Sequence, residues 1–139
     1  MRKFLLLPFA ALSLVACGNT ATPPATPTIN LNGAWVATLD SSQVRQVFRF
    51  TLAQNGNTLS GDAEIASYVG TYVNTYVPFG KVSGSVSGDQ FTFSSSGTGQ
   101  FGGSVTLSGT VVAGKLTGNW SGTNPQGATA SGTYTATKQ

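Results

Sequence analysis

One short motif recurs six times along this chain and limits what it can fold into: an apolar residue, then Ser, Thr or Asn, then Gly, then any residue, then an apolar or aromatic one. Its copies are Leu31-Asn32-Gly33-Ala34-Trp35, Leu59-Ser60-Gly61-Asp62-Ala63, Val82-Ser83-Gly84-Ser85-Val86, Leu107-Ser108-Gly109-Thr110-Val111, Leu116-Thr117-Gly118-Asn119-Trp120 and Ala130-Ser131-Gly132-Thr133-Tyr134. Side chains alternate along a strand, so the apolar residue, the glycine and the aromatic residue share one face, while hydroxyls and charges share the other. Each copy therefore specifies a strand with one dry side and one wet side. A glycine inside a strand costs packing and chain entropy. Repeated at inward positions, it lets strands bend sharply and makes room for opposing rings, and a sheet that bends this way closes into a small barrel without edges.

Turn signals between the alternating runs point the same way. Asn55-Gly56, Gly88-Asp89 and Ala113-Gly114 are hairpin dipeptides. Two-residue loops at these places set Leu52 opposite Leu59, Phe50 opposite Gly61 and Arg49 opposite Asp62. They also set Val86 opposite Phe91, Gly84 opposite Phe93, Val111 opposite Leu116 and Leu107 opposite Trp120. Every one of these registers keeps the inward face with the inward face. The expected fold is all-β, an antiparallel up-and-down meander barrel of about eight strands over residues 29–139. Trp35, Phe48, Phe50, Phe93, Trp120 and Tyr134 are in its core, with Ser95 and Tyr134 as the polar groups at depth. The tetrad repeat from Tyr68 to Val77 leaves its facing open. Its Tyr residues share one face and its Val residues the other, and a bulge near Ala66-Ser67 would exchange them. Counted as a strand of its own, this stretch would make nine.

Ahead of the barrel lie two segments of different character. Arg2 and Lys3 precede an apolar run from Phe4 to Val15 that is too short to span a bilayer stably and is interrupted by Pro8 and Ser13. Leu14-Val15-Ala16-Cys17 resembles the lipobox of bacterial lipoproteins. That resemblance implies a signal peptide over residues 1–16, a lipid on the Cys17 thiol and tethering to a membrane of the cell envelope. Residues 17–28, with three prolines and no large apolar side chain, then read as an extended, solvated tether.

Leu31-Asn32-Gly33-Ala34-Trp35 opening a first strand also resembles the Gly-x-Trp motif of the calycin barrels, the lipocalin and avidin group. In that group a basic residue of the last strand packs over the tryptophan, and the resemblance assigns that place to Lys138. It implies architecture rather than ligand. The polar first-strand position that helps avidins hold biotin is Ala37 here, and the family's set of pocket tryptophans is missing.

The residue inventory restricts chemistry. The chain has no histidine, and its single cysteine is the lipidation candidate, so Ser-His-Asp, Cys-His and most zinc constellations are excluded. Asp62 and Glu64 share the outward face of one strand, and Arg49 beside them makes a surface ion pair a better reading than a catalytic pair. Without the leader's Arg2 and Lys3, five basic residues face four acidic ones, which gives no reason to expect a nucleic-acid partner. The expectation is a non-catalytic protein with no metal and no cofactor. Its barrel could take a small apolar or aromatic ligand against Trp35, Phe50, Phe93, Trp120 and Tyr134. The alternative is a surface module with a solid core whose Ser/Thr exterior, with Tyr68, Tyr72 and Tyr76, contacts glycan or another envelope protein.

Overall fold

The computed structural model describes residues 21–42, 45–69, 72–98 and 102–139, with only the backbone described at 68 and 69. The leader and Cys17 lie outside the described residues. Eight strands follow in order: β1 (Gly33–Asp40), β2 (Arg45–Asn55), β3 (Thr58–Val69), β4 (Tyr72–Ser87), β5 (Gln90–Gly97), β6 (Gly103–Val112), β7 (Lys115–Thr123) and β8 (Thr129–Lys138). Each pairs antiparallel with the next, and β8 pairs back onto β1 to close the barrel. The architecture is all-β and up-and-down, compatible with the calycin resemblance.

Two of the three expected hairpin registers are present unchanged: Val86 faces Phe91 and Gly84 faces Phe93, while Val111 faces Leu116 and Leu107 faces Trp120. The β2–β3 hairpin differs by two residues. Its loop is Gly56-Asn57 rather than Asn55-Gly56, so Leu52 faces Gly61, Phe50 faces Ala63 and Arg49 faces Glu64. The cause is tertiary. Gly56 adopts φ +57° at the first loop position, the place a glycine takes in one of the two favoured hairpin turns. Asn57 is then held by β4: its carbonyl accepts from the Val86 N–H at 2.8 Å, and its Nδ2 donates to the Val86 carbonyl at 2.7 Å. A shift of two leaves the inward and outward faces unchanged.

The tetrad stretch is not a ninth strand. It divides between the end of β3 and the start of β4, with Val69 facing Tyr72. Two register shifts lie in this hairpin. Ala63 pairs with Gly80 but Glu64 with Pro78, and Ser67 pairs with Thr75 but Tyr68 with Val73, so the extra residues, Phe79 and Asn74, are on β4. Pro78, which has no N–H to give a ladder, sits at the first of these bulges. Tyr76 lies outside, with the Arg49 guanidinium 4.5 Å from its ring centroid, and Tyr72 is 80% exposed.

The core is an aromatic column. Phe79 meets Phe48 edge-on at 5.2 Å, Phe48 stacks on Phe50 at 5.6 Å, Phe50 meets Phe93 at 5.1 Å, and Phe93 stacks on Phe91 at 5.9 Å. Offset and edge-on pairs at such distances add attraction beyond burial alone. Glycines stand opposite bulky inward residues: Gly84 opposite Phe93, Gly109 opposite Phe91, Gly118 opposite Tyr134 and Gly132 opposite Trp120. Gly118 shows what they permit. A Cβ there would run into the Ser108 carbonyl oxygen of β6, so the neighbouring strand coils into space that any other residue would fill.

The two ends of the barrel differ. The loops Gly56-Asn57, Gly88-Asp89 and Ala113-Gly114 crowd one end, which the chain before β1 then seals. Leu31 is fully buried there, and Ile29 packs against the core. Gln54 binds the segment: Oε1 accepts from the Leu31 N–H at 2.8 Å, while Nε2 donates to the carbonyls of Ile29 at 3.1 Å and Gly56 at 3.2 Å. The expected solvated tether is itself anchored at its far end. Thr28 N–H donates to the Gly88 carbonyl at 2.8 Å, and the Ala25 carbonyl accepts from Asn57 Nδ2 at 2.8 Å. The opposite end is framed by the β1–β2, β5–β6 and β7–β8 connections.

Candidate functional site

The end opposite the seal holds an apolar cavity of about 230 Å³. Its floor and walls come from alternate positions of several strands: Leu39 of β1, Phe48 of β2, Ile65 of β3, Phe79 of β4, Val105 of β6 and Trp120 of β7. Inward parity puts each of them there except Phe79, which the β4 bulge delivers. The Pro78-Phe79-Gly80 sequence reads as a turn, and only the extra residue swings its ring inside. One side of the rim is the β7–β8 loop, whose Asn124, Pro125 and Ala128 face the cavity. That loop is held by its own residues: Asn124 Oδ1 accepts from the N–H groups of Gln126 at 3.0 Å and Ala128 at 2.9 Å. The indole of Trp120 is fixed by its Nε1–H donating to the Asp40 carbonyl at 3.0 Å across the β8–β1 seam. The cavity is therefore built on strands and a self-braced loop, with a ring of defined orientation in its wall.

Of the five residues expected to touch a ligand, only Trp120 lines this cavity. Phe50 and Phe93 lie inside the aromatic column. Trp35 is at the sealed end: its Nε1–H donates to the Leu31 carbonyl at 2.9 Å, and its ring lies 5.7 Å from Lys138 Nζ, the two residues facing each other across β1 and β8. Gly33 makes room for that lysine. It adopts φ +119°, and a Cβ there would come within 2.8 Å of Lys138 Cε. Tyr134, 3% exposed, has a hydroxyl with no hydrogen-bond partner among the described residues, and so does buried Ser95. Burial pushes the Tyr134 phenol well above its ordinary pKa. Of the three tyrosines expected at the surface, Tyr76 lies under the Arg49 guanidinium, Tyr72 is exposed to solvent, and the Tyr68 side chain is outside the described residues.

No family model and no curated protein matches this sequence. Function must be argued from the barrel itself. Six of its charges are paired with one another: Arg49 Nε donates to Glu64 Oε2 at 2.6 Å, Lys81 pairs with Asp62 at 2.5 Å, and Arg45 lies 3.5 Å from Asp40. Asp62 and Glu64 are thus each engaged by a separate cation, and neither faces the cavity. Among the described residues, no group of three or more His, Cys, Asp or Glu side chains lies together where a metal could bind.

Proposed function

We propose that this is a non-catalytic cell-envelope protein, held at a membrane by lipid on Cys17, whose barrel takes a small apolar or aromatic group in its open mouth. The observation that carries the reading is the mouth cavity, apolar on its floor and furnished with one oriented indole. An apolar cavity of roughly 150 Å³ is enough for benzene, so about 230 Å³ suits a single substituted ring or a short branched alkyl group. The depth of the barrel is taken up by phenylalanines, which favours a shallow seat at the mouth over a ligand on the axis.

The anchoring of Ala25 and Thr28 at the sealed end gives the site a direction. A lipid a few residues upstream would hold that end toward the bilayer, so the mouth opens to the aqueous side and takes its ligand from solution. Among the described residues, the hydroxyl-rich exterior has no apolar band that would let the barrel itself sit in lipid.

The test has two arms. Membrane fractionation of the chain and of Cys17→Ser should show the first in membranes and the second released. Tryptophan fluorescence of the Cys17→Ser chain, titrated with toluene and indole-free aromatic alcohols, should change through Trp120 and persist in Trp35→Phe. Unchanged fluorescence, together with native mass spectra free of any co-purified small molecule, would refute the cavity reading and leave the anchor to be judged by fractionation.

A further inference from the structure

The exterior of the barrel is divided in two. Six charged strand residues outside the sealed rim, Asp40, Arg45, Arg49, Asp62, Glu64 and Lys81, all belong to β1–β4. Strands β5–β8 carry only Lys115 and Lys138, both at the sealed end.

Between those lysines and the mouth, the β5–β8 wall bears a grid of hydroxyls. The strand registers align outward positions into rows across all four strands. One row runs Ser94, Thr106, Ser121, Ser131, and the next runs Thr92, Ser108, Asn119, Thr133. Flanking rows, from Ser96 to Thr129 and from Gln90 to Thr135, repeat the same chemistry. Strand geometry spaces such a grid at about 4.8 Å across and about 6.8 Å along. Two adjoining shallow depressions lie on it and share Thr106, Ser121 and Ser131; one reaches Gly122, and the other has Trp120 and Gly132 in its lining. Among the described residues, the side chains of Thr106, Ser121, Ser131 and Thr133 make no hydrogen bond, and all four stand on the solvent side.

We propose that this wall is a binding face for an uncharged, hydroxyl-rich polysaccharide chain, laid along the groove over β6–β8. A hydroxyl both donates and accepts, so a grid of them can meet a polyol in many registers. A neutral chain brings no charge to compensate, and this face has none that would lose its solvation under such a ligand. Each contact is weak, and a repeating ligand engages many at once. Paired charges on the β1–β4 half keep that side for solvent.

The test is native affinity electrophoresis of the full chain, in a polyoxyethylene detergent, through gels containing dextran, hydroxyethyl cellulose or galactomannan, with anionic alginate for comparison. At least one neutral gel should retard the protein, and retardation should persist in about 1 M salt, where exposed charges are screened. The quadruple variant Thr106→Val/Ser121→Ala/Ser131→Ala/Thr133→Val should bind about tenfold more weakly, and the milder Ser121→Ala/Ser131→Ala pair at least threefold, with thermal melting checked for both. Asp62→Asn/Lys81→Gln should bind as the parent does. Passage through all three neutral gels without retardation, equal retardation of the folded variants, or retardation by alginate alone would each overturn the proposal.

Discussion

Replacing Tyr134 by phenylalanine should make this barrel more stable, and the gain should grow with pH. The ring is buried to within 3% of its surface, and its hydroxyl meets no partner among the described residues. Tyr134→Phe keeps the ring and removes only an oxygen taken from water without compensation, a group that costs on the order of 1–3 kcal/mol. At pH 7 the variant should therefore gain about 1 kcal/mol. The direction of the pH dependence follows from the raised phenol pKa in the folded state. The unfolded chain releases this proton near pH 10 while the folded chain keeps it, so the stability of the parent is full below about pH 10 and falls as pH climbs toward the folded value. One unit above the unfolded pKa, the loss is about 1.4 kcal/mol. The phenylalanine side chain cannot ionise, so the variant's advantage should widen by that amount between about pH 8 and pH 11. Urea unfolding of both chains at the two pH values reads the difference directly, because all other titrations are shared. A variant less stable than the parent at pH 7, or an advantage that stays flat to pH 11, would mean that the hydroxyl is hydrogen-bonded and the argument from burial is wrong.

Other outcomes follow from single contacts. Gly118→Ala forces a methyl into the Ser108 carbonyl and should cost about 3 kcal/mol or prevent folding, whereas Gly114→Asn, at a turn with open space around it and φ +74°, should stay within about 1 kcal/mol of the parent by chemical denaturation. Gln54→Ala removes three hydrogen bonds to the segment that seals the barrel and its adjoining loop. It should cost about 2 kcal/mol and speed hydrogen exchange at the Leu31 amide well ahead of the strand amides. Lys138→Ala should lose about 0.5–1 kcal/mol and Lys138→Arg should restore it, as a cation over the Trp35 ring requires. Equal melting of all three Lys138 forms would reject that contact.

Most of the architecture was legible because period-two alternation and turn dipeptides are local signals. Leu107 opposite Trp120 and Gly84 opposite Phe93 needed nothing more than parity and a loop position. The β2–β3 register did not follow from its Asn-Gly pair because Asn57 and Gln54 answer to distant partners, Val86 in one case and Ile29 and Leu31 in the other. Phe79 escaped the pattern for a related reason. A bulge adds a residue to one strand only, and nothing in Pro78-Phe79-Gly80 distinguishes it from a turn. Parity alone puts Leu39, Phe48, Ile65, Val105 and Trp120 inside, but that they border a cavity depends on how far the aromatic column fills the axis. Ser95 and Tyr134 stand out as inward polar residues from alternation alone, and they are the two buried side chains whose hydroxyls lack partners among the described residues.

The seam between β1 and β8 brings the beginning and the end of the folded chain side by side, with Gln139 N–H donating to the Ala34 carbonyl at 3.0 Å. A short Gly-Ser bridge from Gln139 back to the residues before β1, with new termini cut into the loop at Gln126, would preserve every strand pairing. If Cys17 carries a lipid as proposed, the anchor of such a circular permutant would enter from the other rim and the sealed end would face away from the membrane. The native chain order thus determines which of two unlike rims the segment before β1 reaches.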